Sequence, residues 1–226
     1  MITALIDADS LIYAVGFSSN DVEEPIAIAR LEQTMVELCM DLECEDYQGF
    51  LTGKGNFRDT LAVTAPYKGQ RTTEKPVHFQ ALRDHLVNSW GFTVVTGIEA
   101  DDAVGIAAYA VSEDESIMVH IDKDLNQFRG WHYNYRKKQK YYVSEFEGLV
   151  AFYTQILTGD RIDNILGLKG IGPVKAKKIL ADCTNETQLY KAVLKAYDGD
   201  EKRVLENGQL LWLQRKENEL WQLPQI

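Results

Sequence analysis

Apolar runs that end in carboxylates place the tightest limit on what this chain can fold into. Thr3-Ala4-Leu5-Ile6 runs into Asp7, Phe92-Thr93-Val94-Val95 leads to Glu99, Asp101 and Asp102, and the segment from Ser116 to Ile121 meets Asp122 and Asp124. Short apolar segments bounded in this way read as buried strands, and Tyr47 to Thr52 reads as another. Helical spacing fills the intervals over Ile26 to Leu42, Val77 to Trp90 and Ala100 to Ala110. Strands alternating with helices predict an α/β fold whose mainly parallel sheet carries helices on both faces. After roughly residue 144 the strands stop. Ser144 to Leu157, Pro173 to Leu180, Glu186 to Ala196 and Glu201 to Lys216 read as helices, the first opened by a Ser144–Glu147 capping box. The expected organisation is an α/β part over residues 1–157 and a helical part over 158–226, packed as one body without a flexible linker.

In open α/β sheets, ligand sites lie beyond the carboxyl ends of the strands, and the acids fall there. Asp7, Asp9, Glu99, Asp101, Asp102, Asp122 and Asp124 follow strands, and Asp160 and Asp163 open the helical part. They account for nearly all of the net charge of −10, which arises from 24 basic and 34 acidic residues. A negative chain argues against nucleic acid, unless its acids are concentrated where cations sit. Carboxylates brought together repel one another until they are neutralised, and hard oxygen ligands suit Mg²⁺ or Mn²⁺. Two such ions would form a phosphodiester clamp. Asp9, Asp102 and Asp160 are explained equally well as helix N-caps. Coincident acids at separate strand ends, Glu99, Asp101 and Asp122, are harder to explain that way, and Ala100 lets the chain turn Glu99 and Asp101 inward together.

Two further segments bear on nucleic acid. Gly170-Ile171-Gly172-Pro173-Val174-Lys175-Ala176-Lys177-Lys178 joins two helices through a Gly-x-Gly turn, with Pro173 suited to the first helical turn. Such a turn lets backbone N–H groups approach a phosphate closely, the form of a helix–hairpin–helix grip; an ordinary turn with solvated lysines is the alternative. Arg129 to Lys140 interleaves basic and aromatic residues, which suits a nucleic-acid surface or a hairpin with a charged tip. The four histidines, His78, His85, His120 and His132, show no zinc spacing. Composition, at 45% apolar and 26% charged, excludes a disordered chain. The longest apolar run, Ala103 to Val111, is too short to span a membrane. Cys39, Cys44 and Cys183 form no CxxC and read as reduced and mostly buried, and the chain starts without a basic signal region. These features predict a cytoplasmic protein.

The set Leu5-Ile6-Asp7, Glu99-Ala100-Asp101-Asp102, Asp122-Lys123-Asp124-Leu125 and Thr158-Gly159-Asp160-Arg161-Ile162-Asp163-Asn164, running into Gly170-Ile171-Gly172, resembles the structure-specific 5′ nucleases. That family includes flap endonucleases, the 5′-nuclease domains of bacterial DNA polymerase I and bacteriophage 5′→3′ exonucleases. The resemblance covers about residues 2–183. It implies a PIN-like catalytic sheet, a helix–three-turn–helix element, and two-metal hydrolysis of DNA near 5′ ends, flaps or forks, RNA primers included, by a monomer. It assigns Asp7, Glu99 and Asp101 to a first metal ion and Asp122, Asp124 and Asp163 to a second, with Asp101 near both. Asp102 and Asp160 match further acids of bacterial and phage members. It also implies a K⁺ ion at the hairpin carbonyls beside Gly170 and Gly172, and contacts to DNA by Lys175, Lys177 and Lys178. Tyr67-Lys68-Gly69-Gln70-Arg71 matches the signature before the family's arch. Lys68 and Arg71, three apart, would share a helical face turned to the scissile phosphate, and Tyr67 would stack on a base.

One position departs from the pattern. Family members carry an acid at the end of the second strand before a Phe-Arg pair, and here Thr52 stands ahead of Phe57-Arg58. That departure keeps a non-catalytic junction-binding module in view. A PIN-type ribonuclease would explain the acids but not the glycine hairpin. Asp7-Ala8-Asp9 faintly imitates a haloacid-dehalogenase phosphatase, which leaves Glu99 to Asp102 unexplained.

Overall fold

The computed structural model describes residues 2–44, 46–70 and 74–225. In chain order the elements are β1 (Thr3–Asp7), α1 (Ala8–Phe17), α2 (Glu24–Leu42), β2 (Asp46–Asn56), α3 (Arg58–Leu61), α4 (Phe79–Trp90), β3 (Thr93–Gly97), α5 (Ala100–Tyr109), β4 (Ser116–Val119), β5 (Gly130–Asn134), β6 (Gln139–Val143), α6 (Glu145–Thr158), β7 (Gly159–Asp160), β8 (Ile165–Leu166), α7 (Pro173–Leu180), α8 (Glu186–Ala196) and α9 (Glu201–Leu211). The large sheet has the order β3-β2-β1-β4-β5-β6. Every neighbouring pair is parallel except β5–β6. The chain builds β2 and β3 on one side of β1, then crosses to lay β4 on the other. Strand order therefore reverses between β1 and β4, and the crevice beyond their carboxyl ends is a switch point.

Alternation along β1 feeds two cores. Ala4 and Ile6 pack with Leu11, Leu31, Met35, Leu82 and Leu86 beneath α1, α2 and α4. Leu5 turns the other way, to Val104, Met118, Phe128 and Leu213 beneath α5. A third core joins Phe152, Tyr153 and Ile156 of α6 to Leu189, Tyr190, Val204 and Leu211 of the later helices.

The expected mainly parallel sheet flanked by helices is present, and several elements correct the sequence reading. Helix α1 was not anticipated, although Leu11, Ile12 and Val15 are spaced to bury one face and do so. Strand β2 continues past Thr52 to Asn56, with a register shift against β3. The short β7–β8 pair follows residue 144, where only helices were expected. Helix α9 stops at Leu211 rather than Lys216 because Trp212 turns extended, with ψ 126°, and Leu213 of the tail joins the core with Leu5, Val104 and Phe128. The basic–aromatic segment is the β5–β6 hairpin. His132 and Tyr133 are buried within it, and Lys138 pairs with Asp41 at 3.1 Å. Cys39, Cys44 and Cys183 are free and half-buried rather than buried. Among the described residues, no helix is long and apolar enough to cross a membrane.

Candidate active site

A cleft of about 540 Å³ opens beyond the carboxyl ends of β1 and β4, lined by Asp7, Asp9, Thr52, Lys68, Glu99, Asp101 and Asp122 among others. Asp7 ends β1, Glu99 is the N-cap residue of α5, Asp101 lies in the first turn of α5, and Asp122 follows β4. Burial, and then the charges of Asp9 and Asp122, raise the Asp7 carboxyl to about 7. Burial, with Asp102 and Glu99 close by, raises Asp101 well above its ordinary value. Asp124 is raised to about 7 by burial and by Asp122, Asp160 and Asp163. Burial is also the main cause that raises Asp163. Mutual influence thus links the acids of the cleft with those opening the helical part.

Lys68 sets a cation among them. The Lys68 ammonium is paired with Glu99 and lies 3.8 Å from Asp163 Oδ1. Burial pushes Glu99 up, but Lys68 and Arg58 outweigh it and hold that carboxyl below its ordinary value. Burial would lower Lys68, and Glu99 and Asp163 reverse that and raise it. The Tyr67 hydroxyl lies 2.7 Å from Glu99 Oε2 and 2.9 Å from Asp163 Oδ2. Its one proton serves a single carboxylate at a time.

Several residues stand differently from the sequence expectation. Tyr67 is only 9% exposed and packs into the third core, so it anchors acids and offers no face to a base. The segment 67–70 is a turn, not a helical face, because Lys68 adopts φ +52° and its N–H is held by the Asp163 carbonyl at 2.9 Å. Arg71 lies outside the described residues. Asp102 is fully buried and turns away from the cleft. Its oxygens accept from Arg58 Nη1 at 2.7 Å and Nη2 at 2.8 Å, from the Gln214 N–H at 3.0 Å and from the Glu99 N–H at 3.1 Å. Those four donors saturate the carboxylate, so Asp102 is the partner of Arg58 and not a metal-facing acid. Asp160 Oδ1 accepts from the Ile162 and Asp163 N–H groups at 2.7 and 3.1 Å, and Asp122 accepts from the Asp124 N–H at 2.9 Å. Both act as local caps as well as members of the acidic set.

Within β2, Thr52 accepts the Ala100 N–H at 2.9 Å through its hydroxyl, and its own N–H lies 3.1 Å from Asp9 Oδ2. Arg83, which no motif signalled, lies 3.8 Å from Asp9 and donates to the Thr52 carbonyl at 2.7 Å. Tyr13, Lys75 and Phe79 complete that wall. In the hairpin, Gly170 has φ +78°, a conformation that favours glycine, and space is open around both Gly170 and Gly172. Gly172 caps α7 ahead of Pro173, and Lys177 and Lys178 are exposed on that helix. Lys175 folds back instead, donating to the Gly170 carbonyl at 2.8 Å, so an ammonium sits on a carbonyl that the resemblance gave to K⁺.

The donors of the cleft are hard oxygens whose burial and repulsion a divalent cation would relieve. Among the described residues, no three acidic, histidine or cysteine side chains stand close enough to hold one ion as placed. Lys68 and Tyr67 occupy Glu99, Tyr67 also holds Asp163, and Gln155 donates to Asp124 at 2.7 Å. The set suits a hard cation by its chemistry, provided these side chains swing toward it.

No protein-family model matches the chain. A 5′–3′ exonuclease of Mycoplasma genitalium is 30% identical over 206 residues, covering 78% of this chain and 70% of its own length. That of Mycoplasma pneumoniae is 29% identical over 210 residues, with the same coverage of 78% and 70%. Among solved structures, bacteriophage T5 5′-exonuclease with bound zinc superposes with a TM-score of 0.72 at 18% identity, over 93% of this chain and 88% of that one. The catalytic core of Rad2 in complex with a DNA substrate gives 0.54 at 16% identity, over 92% and 73%.

Proposed function

The chain belongs to the 5′–3′ exonuclease family, and from that premise we propose that it hydrolyses DNA phosphodiester bonds near 5′ ends, flaps or forks with the help of divalent cations. The observation that carries the reading is the convergence of Asp7, Glu99, Asp101 and Asp122 on one cleft at the switch point, beside the Lys68 ammonium. The bound zinc of the T5 relative and the DNA substrate of Rad2 support it. Asp7, Glu99 and Asp101 would hold one Mg²⁺ or Mn²⁺, and Asp122, Asp124 and Asp163 a second. When bound, such ions supply charge neutralisation at the scissile phosphate.

The chain's own residues do the rest. Lys68, released from Glu99, places its ammonium against the phosphoryl oxygens and offsets the charge that builds there. Tyr67 orients Glu99 and Asp163 from beneath. The Gly170–Gly172 turn presents backbone N–H groups at the start of α7 to a phosphate of the duplex, and Lys177 and Lys178 add sequence-independent attraction. Cleavage assays with and without Mg²⁺, on flap, linear and RNA-primed substrates, test the reading. Metal-independent binding to junctions without cleavage would leave a binding module, and cleavage of RNA alone would leave a ribonuclease.

Lys68→Ala is expected to slow single-turnover cleavage by about a hundredfold, on the order of 3 kcal/mol in the barrier, with far less effect on DNA affinity. Collapse of affinity with an intact chemical step would make Lys68 a docking residue.

The raised acids also fix how the metal-free fold responds to pH. Asp7 has an ordinary carboxylate value of 3.8 and is raised to about 7; Asp124 is raised to about 7 as well. Between those limits these two carboxyls keep protons in the folded state that the unfolded chain releases, so their contribution to stability falls as pH rises from about 4 to about 7. The buried imidazoles of His120 and His132, lowered to about 4 and about 3, contribute with the opposite sign below about 6.5. Glu99, held below its ordinary value, contributes with the opposite sign at the acid end. Divalent ions bind only the folded cluster and stabilise it by about 2.7 kcal/mol at a hundred times the dissociation constant. Protons compete at low pH, so the Mn²⁺-induced rise in melting temperature is expected to be larger at pH 8 than at pH 5. Equal, small shifts in wild type and Asp122→Asn would show that the acids do not form one metal site.

A further inference from the structure

The loop that carries Tyr67 and Lys68 is not self-supporting. Between α3 and Pro66 it has no regular structure, and Val63 is 86% exposed. Its stretch at Val63 and Thr64 is held by one side chain of α9. Glu206 Oε1 accepts the N–H groups of Val63 at 2.9 Å and Thr64 at 2.6 Å, and Oε2 accepts the Thr64 hydroxyl at 2.6 Å. Arg203 lies 2.7 Å from Glu206 Oε2, donates to the Thr64 hydroxyl oxygen, and reaches the Leu166 carbonyl at 2.8 Å. Asn207 donates to the same Leu166 carbonyl at 2.8 Å. One face of α9 therefore grips both loops of the site, the one bearing Lys68 and the one bearing Asp160 and Asp163.

The two loops are also tied to each other. Lys68 N–H donates to the Asp163 carbonyl at 2.9 Å, and the Asn164 amide to the Pro66 carbonyl at 2.9 Å. Lys68 at φ +52° holds left-handed backbone, which a long side chain keeps only when surrounding contacts impose it; Asn164 at φ +60° shares that region, where asparagine is readily accommodated. Burial would raise the Glu206 carboxyl, but the bonds from Thr64, Val63 and Arg203 hold it below its ordinary value, so it stays charged and engaged.

We infer that Glu206, supported by Arg203, is a positioning residue that sets where the Lys68 ammonium stands in the cleft. The inference rests on the reading that Lys68 serves the chemical step. It separates from a general stabilising role through a double-mutant cycle, because a residue acting through Lys68 has nothing left to position once Lys68 is gone.

The experiment measures single-turnover DNA cleavage at saturating Mg²⁺ for wild type, Glu206→Ala, Lys68→Ala and the double variant, with DNA affinity and melting temperature alongside. Glu206→Ala is expected to slow cleavage about thirtyfold with affinity changed less than about threefold, and to slow the Lys68→Ala protein by less than about threefold. Glu206→Gln keeps one oxygen for the Val63 and Thr64 N–H groups. It is expected to lose less than about tenfold, a loss that also vanishes without Lys68, and it carries the test if the alanine variant does not fold. Losses that multiply in the two backgrounds, or a Glu206→Ala rate near wild type, would overturn the inference while leaving Lys68 in its role. A Lys68→Ala protein that cleaves at the wild-type rate would overturn the role of Lys68 and this inference with it.

Discussion

Asp101→Asn is expected to lower single-turnover cleavage by at least about a thousandfold, roughly 4 kcal/mol in the barrier, while DNA affinity stays the same or tightens. Asp101 lies in the first turn of α5, one residue past Ala100, and lines the cleft together with Glu99 and Asp122. Burial and neighbouring acids raise its carboxyl well above its ordinary value, so it gains from a cation bound beside it. Asparagine keeps the shape and the contact with the Asp102 N–H, which lies 2.7 Å from Asp101 Oδ1. It removes the charge alone. Losing one negative charge from the cleft reduces repulsion toward an incoming phosphate, which is why affinity should not fall. The variant should also melt higher than wild type in the absence of metal, by a margin that grows as pH rises, since a buried, repelled carboxylate is gone. Near-normal turnover at saturating Mg²⁺ would remove Asp101 from the metal-holding set. Loss of turnover together with loss of DNA binding would point to a disturbed cleft instead.

The acids that converge were legible because their placement is local. Asp7, Glu99, Asp101 and Asp122 each sit within a few residues of an apolar run, and the rule that parallel strands present their carboxyl ends to one crevice did the remaining work. Tyr67 and Lys68 were legible as residues of the site but not in their conformation. Their signature could not announce that the turn at Lys68 takes a positive φ, or that the Tyr67 ring is covered by the C-terminal helices. Asp9 and Thr52 meet across 43 positions of sequence, and their contact follows from the pairing register of β1 with β2, in which Asp7 lies opposite Phe50. The end of α9 was the clearest miss, and its cause is distant too. Periodicity continues to Lys216, but the Leu210 and Trp212 carbonyls are claimed by Arg58 from 152 and 154 residues away. A sequence pattern reports which face of an element is apolar, not which buried cation will donate to its last carbonyls.

That same cation sets the second large effect. Asp102→Ala is expected to lower the melting temperature by roughly 10 °C, in line with about 3–5 kcal/mol for removing one partner of a buried ion pair and about 2–4 °C per kcal/mol in a chain of this size. Arg58 is 1% exposed and Asp102 0%, so neither has water to fall back on. With the carboxylate gone, Arg58 retains the Leu210 carbonyl at 2.9 Å and the Trp212 carbonyl at 2.8 Å, but its charge faces only Glu99 Oε2 at 3.6 Å. The Gln214 N–H, which donates to Asp102 at 3.0 Å, loses its acceptor, and the tail loses its tie to α5. Gly105 sits where that tail passes, with the Gln214 carbonyl so close that a Cβ there would stand 2.5 Å from it, so the tail packs directly on α5. Arg58→Met combined with Asp102→Leu, which removes both charges and keeps apolar volume, should recover much of the loss. The decisive comparison is the melt with and without Mn²⁺. If Asp102 serves Arg58 and not a metal ion, the alanine variant starts lower but rises by the same increment as wild type. A variant that melts normally without metal, yet no longer responds to Mn²⁺, would return Asp102 to the metal-binding set.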